Sequence, residues 1–388
     1  MSARGSGPEW LEAHLEWFDP RVWNALLPAR PFPAGPLLEL LLLCERVPGL
    51  RVTGPALELA DRLTAAPEFR AGLYRADAHF TYHVWLLVLM QRLGAPRPRL
   101  LSAAQALLDS GVRPNLDGVA ALELKYVTDL GGLANHGLPP TRRLYDRWRA
   151  GQHLDPFRLT ANECYALTHA VFYATAFGEV SVPADPDLAR AARLLLAAYL
   201  ADDDLDLGAE LFHTALLVGG PQGLGAARNR LAEAAQPDGA VAGPVHDPAV
   251  QARLTGRKAE AYRFGTCYHT TIVTELALAA SWPRPAESGR PVPEPAEELV
   301  IAWRRNDLGR TAKLVQAAAG ETRLDPIITA AVRRLQAQRQ PDGNFGIPVD
   351  AGLTALCIAA LEAWEAPELA GVASGDVDSP APAGTEPN

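Results

Sequence analysis

Four histidines stand near the starts of apolar runs along this chain. They are His83 in HFTYHVWLLVLMQRLG, His169 in CYALTHAVFYATAFG, His213 in GAELFHTALLVGG and His269 in GTCYHTTIVTELALAA. Tyr126 in LELKYVTDLGGL and Thr354 in DAGLTALCIAALEAW hold the same place in two further runs. Taken in chain order, these six positions are 43, 43, 44, 56 and 85 residues apart. Imidazole exchanges protons near neutral pH and ligates metals. A set of imidazoles delivered to one place therefore points to acid–base work or to a held divalent ion.

Neighbouring groups sharpen this. Glu210 and His213 are three residues apart on one helical face, a spacing that lets a carboxylate and an imidazole hold a metal together. His79 and His83 are a same-face pair four apart. Cys267 lies two before His269, so the two share a face only if a helix starts between them. The expected catalytic set is His169, His213, His269 and Glu210. Zinc is the expected ion if a metal is held, at His169, His213, His269 and Cys267, although no tight ligand motif such as HExxH or CxxC occurs. His83, Lys125, Tyr126, Asn162, Glu163 and Tyr268 are expected to contact substrate. The competing assignment is plainer, since a lone buried histidine on an apolar helix is usually a satisfied core residue. No nucleotide cofactor is expected, because the chain has no phosphate loop and no glycine-rich dinucleotide turn after a strand.

Positioning falls to helices. Apolar nearly all round, Phe80–Arg92, Val119–Leu130, Asn162–Phe177, Gly208–Val218, Thr266–Ser281 and Ala351–Trp364 predict inner helices covered on every side. Arg99–Asp109, Thr141–Ala150, Asp187–Ala201, Leu224–Ala235 and Asp325–Gln338 are amphipathic and predict outer helices, with Gly35–Val47 as the first of that kind. A period in the forties is the length of a helix hairpin with its loops. The expected fold is all-α, an (α/α)6 toroid over residues 34–366. It is preceded by an N-terminal extension (1–33), interrupted near 240–264 and 283–320, and followed by a disordered tail (367–388) rich in Pro, Gly, Ser and acid.

Two outer helices end in the same phrase, Gln236-Pro237-Asp238-Gly239 and Gln340-Pro341-Asp342-Gly343-Asn344-Phe345-Gly346. The phrase resembles the Gln–Asp–Gly–aromatic turn of the α/α-toroid superfamily, which includes terpenoid cyclases and protein prenyltransferase β-subunits. That resemblance, strongest over residues 325–364, implies a pocket at one mouth of a helical ring. Within the turn, Asp can cap the chain reversal and Gly can supply a positive φ, a scaffold role. The Asp-x-Asp-Asp acid of class II cyclases is absent. The run Asp202-Asp203-Asp204-Leu205-Asp206 fits an Asp-Asp-x-x-Asp motif but falls at an outer-to-inner turn, where a solvated acidic cap is the expected role.

The chain has 388 residues, 48% of them hydrophobic, and a net charge of −9, which is no footprint for nucleic acid. Its four cysteines are widely spaced in apolar runs, as in a reducing cytoplasm. No leader and no membrane span are expected. The Ala, Arg, Pro and Gly bias points to a bacterial source. The expected function is an enzyme of bacterial specialised metabolism, a lyase, cyclase or transferase acting on a small or mid-sized organic or peptide substrate in the cytoplasm. The alternative is a non-catalytic helical scaffold or peptide-binding toroid.

Overall fold

The structure is a computed structural model that describes residues 5–111, 118–280, 294–319 and 325–372. All regular elements among these residues are helical. Contacts divide the chain into two compact units, Met1–Pro291 and Val292–Asn388. The single domain expected over 34–366 straddles that division.

Six helices of the first unit carry the site: α1 Gly35–Arg46, α2 Phe80–Arg92, α3 Val119–Gly131, α4 Ala161–Thr175, α5 Leu205–Gly219 and α6 Gly256–Ala279. Each packs on the next, and α6 packs back on α1. Their all-round apolar sequences are buried accordingly. In α2 every residue from His83 to Met90 is buried, and in α5 Leu217 is the one residue that is not fully buried. Amphipathic helices lie outside them, for example Pro186–Ala201 on α5 and Thr141–Ala150 on α3 and α4. Pro186–Ala201 starts where Asp185 caps the amide of Leu188 and Pro186 pre-sets the first turn.

Three sequence expectations change here. Helix α1 was expected outside, yet Leu37, Leu38 and Leu40–Leu43 are all buried and it packs on α2 and α6. The Thr354 helix, expected as the sixth inner helix, falls in the second unit. Residues 1–33 are also more than an extension: Trp10, Trp17, Phe18 and Trp23 surround Phe264 of α6 at centroid distances of 5.0–6.1 Å. Finally, the insertion expected over 240–264 is partly helix, because α6 starts at Gly256 and runs unbroken past Cys267 and His269.

The second unit comprises α7 Glu294–Arg304, α8 Leu308–Ala318, α9 Pro326–Ala337 and α10 Ala351–Val372. Helix α10 packs on α8 and α9, and Leu299, Val315, Ile328, Leu335 and Cys357 are buried in this unit. Thr354 works locally, its Oγ1 accepting from the Phe345 amide at 3.0 Å. Helix α10 covers the first residues of the expected tail; residues 373–388, and 281–293 of the expected linker, lie outside the described residues.

The repeated phrase folds twice into the same turn. The Gln236 amide donates to Ala240 O at 2.8 Å and the Gly239 amide to Gln236 O at 2.9 Å; Gln340 and Gly343 repeat the pattern at 2.9 Å each. Asp238 and Asp342 accept from the amides two residues on, and Gly239 and Gly343 have φ of 101° and 88°. A Cβ on Gly239 would also lie 2.2 Å from Ser6 O, so glycine is required twice over. No helix among the described residues is long and apolar enough to cross a membrane.

Candidate active site

A cavity of about 500 Å³ opens among the six helices of the first unit. Each helix contributes a polar side chain to its wall: Glu39 from α1, Tyr82 from α2, Glu123 from α3, His169 from α4, Glu210 from α5 and His269 from α6. Rings of Trp85, Phe172, Tyr173 and Phe177 and the aliphatic chains of Leu38, Leu42, Ile272, Val273 and Leu276 also line it, and Arg30 and His79 reach it from outside the six helices. A mostly apolar concavity of this size with a few converging polar groups is the usual form of a small-molecule site.

The charged groups form a chain. Nδ1 of His269 donates to Glu39 Oε2 at 3.0 Å. Its Nε2 faces Asp206 Oδ2 at 3.7 Å and Glu210 Oε1 at 3.8 Å. The other Glu210 oxygen lies 3.6 Å from His169 Nε2. Hydroxyls hold the acids in place. Thr168 donates to Glu210 at 2.5 Å, while Tyr165 and Thr270 donate to the two oxygens of Asp206 at 2.5 and 2.7 Å. The Glu210 side chain is 2% exposed, against 41% for His169 and 35% for His269. The imidazoles are therefore the groups a cavity occupant can touch, and Glu210 stands behind them.

Proton affinities follow from this geometry. Burial alone would lower His269, but Glu39 and Asp206, then Glu210, outweigh it and raise its pKa well above the usual imidazole value. Burial likewise opposes the charge of His169, and Glu210 overturns it, raising the pKa. Burial pushes Glu210 up, yet His169 and His269 hold it far below the usual carboxylate range. Glu123 differs. Burial raises its pKa, and the Tyr173 hydroxyl at 2.7 Å and His169 offset only part of that. Two carboxyl groups on one cavity wall are thus driven in opposite directions, the pattern that separates acid from base in many active sites.

Of the expected catalytic residues, His169, His269 and Glu210 meet here and His213 does not. Its ring packs against Phe172 and Phe177 at 4.9 and 6.3 Å, and burial lowers its pKa to about 4. Cys267 points away from His269, as a residue two places off must on an unbroken helix, and its Sγ lies 3.9 Å from His246 Nδ1. The expected zinc ligands are therefore not assembled. Among the described residues no group of three or more His, Cys, Asp or Glu could hold a metal ion.

The expected substrate contacts also fall elsewhere. His83 is wedged between Phe32 and Phe69 at 5.0 Å from each, its Nδ1 donating to His79 O, and it lines a neighbouring cavity of about 790 Å³. Tyr126 is buried and accepts from Arg46 at 2.9 Å. Lys125 pairs with Asp129 on its own helix. Glu163 completes a capping box with Thr160 at the start of α4, and Asn162 is exposed beside it. Tyr268 is 1% exposed behind Arg30, whose guanidinium lies 5.3 Å from its ring.

The acidic run 202–206 divides its duties. Asp203 pairs with Arg230, Asp204 caps α5 through the Leu207 amide, and Asp206 turns inward to His269. Sequence inspection missed Asp206, Glu39 and Glu123 as site residues. The available signal was a carboxylate inside an otherwise apolar helical run, since such groups are almost never fully buried without a partner.

Neither the curated proteins nor the solved structures include a match to this chain. A family model described as a domain of unknown function (DUF6895) matches residues 6–279, which contain α1 to α6 and every residue of the cavity wall. The chain belongs to the DUF6895 family.

Proposed function

We propose that the first unit is an α/α toroid with α1–α6 as its inner helices, and that its cavity is the active site of an enzyme acting on a small or mid-sized organic substrate by acid–base chemistry. The observation that carries this is the charge chain Glu39–His269–Glu210–His169, with Asp206 beside it, on the wall of a cavity about 500 Å³ in volume. Desolvating such charges is costly, and a helical core needs none of them. Perturbed titratable groups gathered in a cleft are what catalysis requires and packing does not.

In this scheme His169 is the group that exchanges a proton with substrate. It is the more exposed of the two paired imidazoles and carries a raised pKa, so it is poised as an acid. Glu210 takes the charge of either imidazolium. His269, fixed from both ring nitrogens by carboxylates, positions Glu210. A transferred proton thus has a defined place on entering or leaving His169, which supports lyase, cyclase or transferase chemistry. The toroid superfamily that the Gln-Pro-Asp-Gly phrase resembles is one setting for such reactions, and a place in bacterial specialised metabolism belongs to the same proposal.

The test is untargeted. Wild-type protein and His169→Gln would be incubated with fractionated cell extracts and followed by mass spectrometry. Species consumed or formed by wild type alone support the proposal. Extracts left unchanged by wild type, or changed equally by a folded His169→Gln variant, would overturn it in favour of a non-catalytic binding toroid.

A further inference from the structure

Of the carboxylates on the cavity wall, one makes no direct ion pair among the described residues, and His169 acts on it only from farther off. Glu39 is bonded to His269, and Glu210 stands between His269 and His169. Glu123 accepts one hydrogen bond, from the Tyr173 hydroxyl at 2.7 Å, and among the described residues it makes no ion pair. Glu39, Asp206 and Glu210 face the two imidazoles, three carboxylates to two cations, so that cluster is already negative before Glu123 is counted.

Its surroundings are aromatic. Tyr82, Trp85 and Tyr173 share the same cavity wall, and the Trp85 and Tyr173 rings lie 5.8 Å apart at 78°. The Glu123 charge is also the main reason that Tyr82 holds its proton up to about 12. A carboxylate beside aromatic rings attracts an organic cation twice, through the charge and through the ring quadrupoles, and a docked ammonium offsets the burial that raises the Glu123 pKa. Leu38, Leu42, Ile272 and Leu276 line the cavity as well and offer surface for an apolar body.

Resting on the active-site reading above, we propose that the cavity takes an amphiphilic organic cation, a protonated amine on an apolar body, with Glu123 as the group that receives the ammonium. Three isosteric probes test this by calorimetry at pH 7.5: 2-phenylethylamine, 2-phenylethanol and phenylacetate. The amine should bind at least ~10-fold more tightly than the alcohol, the size of one charge-assisted hydrogen bond, with phenylacetate weakest. In Glu123→Gln, which still offers Tyr173 an acceptor, the amine and the alcohol should bind alike. Glu123→Asp should keep the wild-type order, and it supplies a second measurement if the Gln variant folds poorly.

Equal binding of amine and alcohol by wild type overturns the proposal. So does a preference that survives Glu123→Gln, tighter binding of phenylacetate, or no binding of any probe at millimolar concentration. Failure here separates from failure of the catalytic reading. A cation preference without turnover of any extract removes the catalysis and leaves this inference, whereas turnover without the preference does the reverse.

Discussion

His269 on α6 and His213 on α5 occupy matching places in the repeat, yet they are held in opposite states. His269 meets three carboxylates and is held as a cation. His213 meets two phenylalanine rings, its Nε2 has no hydrogen-bond partner among the described residues, and burial lowers its pKa to about 4. Glu210, one turn before His213 on α5, lies within 4 Å of His269 and His169, whereas on His213 it only partly offsets the effect of burial. Position in a repeat delivers an imidazole to a depth in the fold; which way its helix faces decides whether it packs or carries charge.

The sharpest way to break that contrast is Glu210→Ala. It strands His169 and His269 beside a cavity with one neutralising group gone, and removing one partner of a buried ion pair is costly. Because the two imidazoles keep some exposure, the lower end of that range applies, about 3 kcal/mol, read by chemical denaturation. Glu210→Gln should lose less stability and still lower the pKa of His169, seen as an upfield-shifting imidazole titration by NMR. An unchanged His169 titration would disprove the pairing.

His213 should respond to volume rather than to charge. His213→Ala leaves a hole beside Phe172 and should cost about 2 kcal/mol. His213→Leu fills the hole without an unpaired nitrogen and should fold within about 1 kcal/mol of wild type, with ligand binding retained. If His213→Leu abolishes binding while the fold survives, His213 belongs with the working histidines after all.

The pH dependence carries the two signs separately. The folded pKa of His213 is depressed from 6.5 to about 4, so between those values the unfolded chain binds more protons. Its contribution is complete above 6.5 and is lost as pH falls through the window to 4, on the order of 3 kcal/mol. His213→Leu should flatten that acid flank. The folded pKa of His269 is raised, so its contribution is complete below 6.5 and is lost as pH rises through the elevated folded value. Glu39→Gln should weaken the fold on the alkaline side of that window least and below it most. The smallest effect is expected of Asn162→Ala, exposed on the first turn of α4: no change in melting temperature or in probe binding.

Much of this was legible in the residues. Continuous apolar runs located five of the six helices of the site, because a helix covered on every side has no polar face to hide its pattern; the sixth, α1, was read as an outer helix. His169, His269 and Glu210 followed from the same runs. Glu39 and Glu123 did not, since each is a single acid in a run such as LLELLLLC or LELKYV, where it registers as an interruption. The cavity stripe also lies one turn toward the N-terminus of the assumed register on two helices, at Glu123 rather than Tyr126 and at Glu210 rather than His213. Asp206 was hidden by its neighbours, because an acidic run at a helix start reads as a cap, and Asp204 is indeed the cap. Packing against α2 and α6 put α1 inside, a fact about neighbours that no local pattern contains.

The hydrogen bond between Glu39 and His269 joins residues 230 positions apart. Helices α2 to α5 each meet the next as soon as one more hairpin has been made, but α1 must wait for α6. During synthesis its leucine face is covered on one side by α2 and is open on the other for nearly the whole of the first unit. Contacts of such long sequence separation form slowly, and apolar surface left waiting invites aggregation or a chaperone. The bond that fixes His269 therefore also times the protein: His169 and Glu210 can pair once α5 is made, but Glu39 and Asp206 have no imidazole until the last helix docks.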